Sequence, residues 1–178
     1  GLSPTQQAYL KHCAENFLFF CENELKIVTK SAEVVPFIPN ESQLEVLRNI
    51  LTESSTRLAI LKARQMGIST LIAAYFFWKT QFNPDTKCVV LAHENDSAAK
   101  LFKIYKTYYE KQSKWIKDAH PLKHSTKKEI TFKHHSGSIT IATAQNPEKL
   151  RSSTVQYLHC SEVAFWKDQK AVFTAVMQ

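Results

Sequence analysis

Apolar residues recur along this chain with two different periods, and the changes between them mark the elements. Over residues 5–21 polar and apolar positions alternate at near-helical spacing, which predicts a leading helix anchored by Phe17, Phe19 and Phe20. Two short extended runs, 25–29 and 33–38, joined through Lys30 and Ser31, read as a hairpin. Pro39 and Asn40 break that pattern, and Asn40 is placed to cap a helix over 41–51, where Leu44, Leu47, Ile50 and Leu51 recur at three and four residues. Strands and helices then alternate: an apolar strand over 57–61, a loop over 62–68, and a helix over 69–81 that is apolar nearly all round. A buried strand over 87–92 (KCVVLA) comes next, then a helix beginning at Asp96 or Ser97 and running to Lys117. Residues 129–132 and 138–142 predict a hairpin around Gly137, and 155–160 a further buried strand. The expectation is an α/β fold, a mainly parallel sheet flanked by helices over 41–178, with a helix and hairpin over 1–40 packed on it.

Composition narrows the class. The 178 residues are 44% apolar and 22% charged, which suits one globular domain. The longest apolar run, 71–78, is eight residues, far below the roughly 20 that cross a bilayer, so no membrane partner is expected. Cys13, Cys21, Cys88 and Cys160 include no CxxC pair, which argues against a disulfide scaffold or structural zinc and for a reducing compartment. His134 and His135 lack a cysteine or carboxylate at ligand spacing and predict no metal site.

Charge is concentrated. From Lys100 to Lys133 ten lysines face only Glu110, Asp118 and Glu129, a local excess of +7 that equals the net charge of the whole chain. On a helix reaching Lys117, the lysines 100, 103, 106, 111, 114 and 117 fall within an arc of about 140° at 100° per residue. That stripe (Lys100, Lys103, Lys106, Lys111, Lys114, Lys117) reads either as a solvated face or as a sequence-independent contact with DNA phosphates. A seam with another protein is a third reading.

Gly67 is one of only three glycines and falls between a predicted strand and a buried helix, in KARQMGIST. There a glycine permits a tight turn, and the N–H groups that open the helix can meet an anion. The pattern GxxxxGK[ST] is matched only at Gly67 and Ser69, with Lys62 at the first glycine and Ile68 at the phosphate lysine; Lys62 and Arg64 are the cations available instead. Ser69 is placed to hold magnesium. Such a loop needs a carboxylate at the end of a second strand, and TVQYLHCSEVAFW offers Glu162, preceded by Ser161 where Asp is usual, a weaker metal contact.

Four blocks in this order, LKARQMGIST, CVVLAHENDSAAKLF, SGSITIATA and KLRSSTVQYLHCSEVAFWKD, resemble the ATPase domain of the phage terminase large subunit, the DNA-packaging motor, over roughly residues 25–178. The resemblance implies a P-loop NTPase fold of the ASCE type that takes ATP and Mg2+ and drives double-stranded DNA into a procapsid. Lys62 and Arg64 look like the displaced Walker A cations, with Gln65, Met66, Gly67, Ile68, Ser69 and Thr70 around the phosphates. Glu162 matches the catalytic glutamate of a Ser-Glu Walker B. Gln43 is similar to the glutamine that reads adenine in related motors, and Arg64 in cis or Arg151 in trans corresponds to an arginine finger. The partners implied are a portal protein, a small terminase subunit and further copies in a homo-oligomeric ring, in the host bacterial cytoplasm and at the portal vertex. The nuclease domain that full-length members carry is expected to be absent. Another helicase-like ATPase, or a non-hydrolysing DNA-binding or assembly module, are the alternatives, the last favoured by Ile68 and Ser161.

Overall fold

The computed structural model describes residues 1–52, 57–61, 66–145 and 154–176. Among them an α/β fold forms, with seven helices and a five-stranded mixed sheet. The lead-in comprises α1 (Pro4–Glu15), α2 (Phe17–Glu24) and the antiparallel pair β1 (Lys26–Val28) and β2 (Val34–Pro36). The single leading helix expected over 5–21 is broken at Asn16, whose backbone is extended and whose Oδ1 accepts the Phe19 N–H to open α2. Then come α3 (Glu41–Thr52), α4 (Ile68–Phe82), β3 (Lys87–Ala92), α5 (Asn95–Lys111), α6 (Lys114–Ala119), β4 (Leu122–Ser125), β5 (Glu129–Phe132), β6 (Ser138–Thr143), β7 (Tyr157–Cys160) and α7 (Gln169–Val176).

The sheet runs β4-β5-β6-β3-β7. β3 pairs parallel with both β6 and β7, whereas β4–β5 and β5–β6 are antiparallel, so the sheet is mixed rather than mainly parallel. The cause is the hairpin around Gly137, which turns β5 back along β6. β3 is buried on both faces, and its side chains divide with period two: Cys88, Val90 and Ala92 join the main core, while Val89 and Leu91 join a second cluster with Trp166 and Val172. α4 and α5 therefore cover one face, and Trp166 with α7 the other.

α1 and α2 lie outside α4. Trp78 Nε1 donates to the Cys13 carbonyl at 2.8 Å, and Phe17 and Phe20 pack on Tyr75, Trp78, Phe77 and Phe82. Glu24, buried in this seam, accepts from the Tyr9 hydroxyl at 2.8 Å and from the backbone and hydroxyl of Ser113 at 3.1 and 3.2 Å. A buried carboxylate needs such partners, and here they tie the lead-in to the junction of α5 and α6.

Two further expectations change. Residues 57–61 form no strand: they lie outside the sheet with Leu58, Ile60 and Leu61 exposed. β7 ends the sheet and borders only β3 among the described residues; the segment does not pair along its outer edge. The helix expected to reach Lys117 ends at Lys111, because Gln112 is extended, its amide paired with Gln81, and Ser113 is held by Glu24. No described helix is long and apolar enough to cross a membrane.

Candidate functional site

The short link from Phe82 to Lys87 places the end of α4 at the start of β3, so α4 runs antiparallel to β3 and its parallel neighbours. Phe76, midway along α4, meets Tyr157 and His159 of β7 at 5.7 and 6.4 Å between ring centres, as that orientation requires. The start of α4, the start of α5 and the end of β7 consequently share the carboxyl edge of the parallel strands, where α/β sheets hold ligands.

Gly67 opens α4 in the left-handed conformation, φ 69° and ψ 16°. A Cβ there would lie 2.8 Å from Gln43 Nε2, so both the backbone and the space call for glycine. The Gly67 carbonyl accepts twice, from the Leu71 N–H at 3.1 Å and from Gln43 Nε2 at 2.8 Å. Among the described residues no side chain caps α4, so there the N–H groups of its first turn, at Ile68, Ser69 and Thr70, have no side-chain cap. Ser69 and Thr70 are half-buried; Ile68 is buried and Met66 packs on the same core. Ile68, at the position of the phosphate lysine, thus serves as an apolar anchor. The Thr70 carbonyl accepts from the Tyr108 hydroxyl at 3.0 Å, which fastens this turn to α5.

Gln43 is 4% exposed and its amide is engaged at both ends. Oε1 accepts the Asn40 N–H at 2.9 Å, Asn40 Oδ1 accepts the Gln43 N–H at 3.0 Å, and Nε2 holds Gly67. This is a capping box one of whose members also positions the turn. The bonds made here are to the backbone of this chain.

Glu162 follows β7 with φ 56° and ψ 41°, a left-handed conformation that costs a non-glycine residue roughly 1–2 kcal/mol. It is fixed on both sides. The Ser161 N–H donates to Leu91 O at 2.8 Å, extending the ladder, and the Ser161 carbonyl accepts Trp166 Nε1 at 3.1 Å. A 3₁₀ turn, Val163–Phe165, starts immediately after. The Glu162 side chain is exposed and accepts a hydrogen bond from Ser97 Oγ at 3.4 Å. Backbone strain at an exposed carboxylate on a ligand-binding edge is a pointer to function. Ser97, in the first turn of α5, was not singled out in the sequence; its only signal is its place just after a buried strand.

Ser161 is buried beneath this edge, and Ser69, Ser161 and Glu162 supply oxygen donors of the kind magnesium takes. No group of three His, Cys, Asp or Glu that could hold a metal ion gathers among the described residues. Burial pushes the nearby Cys160 thiol up to about 11, and Cys88 up to about 12, which makes both poor nucleophiles. Lys62, Arg64, Gln65 and Arg151 lie outside the described residues. Lys100, Lys103, Lys106 and Lys111 are exposed on α5, whereas Lys114 and Lys117 sit on the separate helix α6.

No protein-family model matches the chain, and no curated protein matches it.

Proposed function

We propose that the chain is a P-loop nucleotide-hydrolysing domain that binds ATP with Mg2+ and drives translocation of double-stranded DNA, as in the terminase large subunit that it resembles. The observation that carries this reading is the left-handed, uncapped turn at Gly67, on the same strand edge as the strained, exposed carboxylate of Glu162. Free N–H groups and the helix dipole at the start of α4 attract the β- and γ-phosphates, which Lys62 and Arg64 help to neutralise. Ser69, with Ser161 in support, would hold the magnesium ion, which would supply positive charge against the phosphates. Glu162 orients and accepts a proton from the attacking water, while Ser97 restrains the carboxylate. Gln43 keeps the turn in shape. Arg64 or Arg151 supplies the positive charge opposite the transferring phosphoryl group. Procapsid, portal and small-subunit partners, and a ring of copies, belong to the same reading.

The test is Glu162→Gln in the chain assembled on DNA. It preserves shape and removes the proton acceptor, so ATP affinity holds while turnover falls at least about 10²-fold. Unchanged turnover refutes the role. A second reading, a non-hydrolysing DNA-binding or assembly module, is favoured by the burial of Ile68 and by the absence of 57–61 from the sheet. A wild-type chain that binds DNA but neither binds nor turns over ATP would establish it.

A further inference from the structure

A groove of about 470 Å³ runs between α5 and the turn from β4 to β5, which lies beside the carboxyl end of β6, toward the end of the sheet opposite β7. Lys103 and Lys106 line it from the helix, Ser125, Thr126 and Lys127 line it from the turn, and Phe102 forms its floor. The turn is held from within: Thr126 Oγ1 accepts the N–H groups of Lys128 and Glu129 at 3.1 and 3.0 Å, and the Thr126 N–H donates to Glu129 O at 2.9 Å. With its oxygen so occupied, the Thr126 hydroxyl has its proton left to give, and Lys127 is presented on a fixed frame.

The three acidic residues of the basic segment do not neutralise this groove. Glu129 accepts from Thr131 Oγ1 at 2.9 Å and faces His124 at 3.5 Å, and Asp118 pairs with Lys114. Glu110 lies 3.6 Å from Lys106, both side chains more than half exposed, a pair worth little and readily exchanged for another anion. Lys103 and Lys127 have no carboxylate partner among the described residues. The lysines beyond the helix break are different: Lys114 is paired with Asp118, and Lys117 Nζ donates to the Glu110 carbonyl at 3.0 Å. What the sequence presents as one stripe is two patches, and Lys103 and Lys106 of the first border this groove.

We infer that this groove grips the phosphodiester backbone of duplex DNA, with Lys103, Lys106 and Lys127 on phosphates and the Ser125 and Thr126 hydroxyls donating beside them. Charge complementarity selects a polyanion, and lysine, a point charge, carries no base information. The sole aromatic ring in the lining, Phe102, is 8% exposed and offers unpaired bases no stacking platform, which favours duplex over single strands. The inference deepens the DNA part of the proposed function and rests on it, but not on the nucleotide site.

The test uses the whole 178-residue chain, without ATP, and a fluorescent mixed-sequence duplex titrated across a salt series. Lys103→Gln/Lys106→Gln/Lys127→Gln is compared with Lys111→Gln/Lys114→Gln/Lys117→Gln, which removes the same charge. Each phosphate contact contributes about 0.9 to the slope of log affinity against log salt, so the groove variant should flatten it by about 2.7 and the control by less than about 1. Equal flattening in both, or a larger loss in the control, overturns the groove while leaving DNA as a partner. A wild-type chain that ignores duplex but binds polyglutamate overturns both in favour of an acidic protein.

Discussion

The helices of the lead-in and those at the strand edge begin differently. α1 opens on a complete capping box, Ser3 and Gln6 exchanging bonds at 3.2 and 2.9 Å, and α2 is capped by Asn16; α3, which follows the lead-in, is capped by Asn40 with Gln43. α4 and α5, which carry Gly67 and Ser97 at the carboxyl edge, have no side-chain cap. A cap is worth about 0.5–2 kcal/mol, so the edge forgoes stability that the lead-in takes. α6 is also uncapped, but for a visible reason: the Ser113 hydroxyl is bonded to Glu24 instead. At α4 the residue in the cap position is Gly67, which has no side chain to give, and no other described side chain caps the turn. On the proposed function, the first region is built to stay folded and the second to receive a phosphate.

The strongest way to break this contrast is Gly67→Val. A β-branched residue at φ 69° is badly strained, and its Cβ would displace Gln43 and crowd the phosphates. Affinity for a fluorescent ATP analogue is expected to be abolished in protein that circular dichroism shows to be folded. Gln43→Ala strikes the one residue shared by both regions. It leaves the Asn40 N–H without its partner and removes one bond to the Gly67 carbonyl, about 1–3 kcal/mol. ATP and GTP affinities should fall together, about tenfold, since the amide is spent on the backbone; a loss confined to ATP would show that Gln43 reads the base.

Smaller effects sharpen the comparison. Ser97→Ala deletes a single long hydrogen bond to Glu162, so turnover should drop roughly two- to threefold, the low end for one bond, with nucleotide affinity and thermal midpoint unchanged. Ser3→Ala removes a cap of the other kind. It should lower stability by about 0.5–1 kcal/mol in a denaturant titration and leave nucleotide binding untouched.

The sequence makes some of this legible and hides the rest for physical reasons. β3 and α4 announce themselves because elements covered on both sides are apolar throughout. The same apolar signal misleads at 57–61, since RLAIL cannot reveal whether the segment docks along the edge of a sheet. β4 goes unseen because Lys123, His124 and Ser125 are exposed on an edge and carry no alternation. The break after Lys111 is invisible because the periodicity continues through it, while its cause, Glu24, lies far away in the chain. At the site, Gly67 and Glu162 are readable from their positions between elements. The bond from Ser97 to Glu162 and the double engagement of Gln43 join distant segments, and only the fold brings them together.

The central claim, that the uncapped start of α4 receives phosphate, is tested most directly by backbone amide NMR of the isotope-labelled chain titrated with Mg·ATP. The account predicts large, saturable shifts at the amides of Gly67, Ile68, Ser69 and Thr70, and none at Gln6 and Gln7 in the capped first turn of α1. Saturation without movement at residues 67–70, or shifts of equal size at both helix starts, would contradict it.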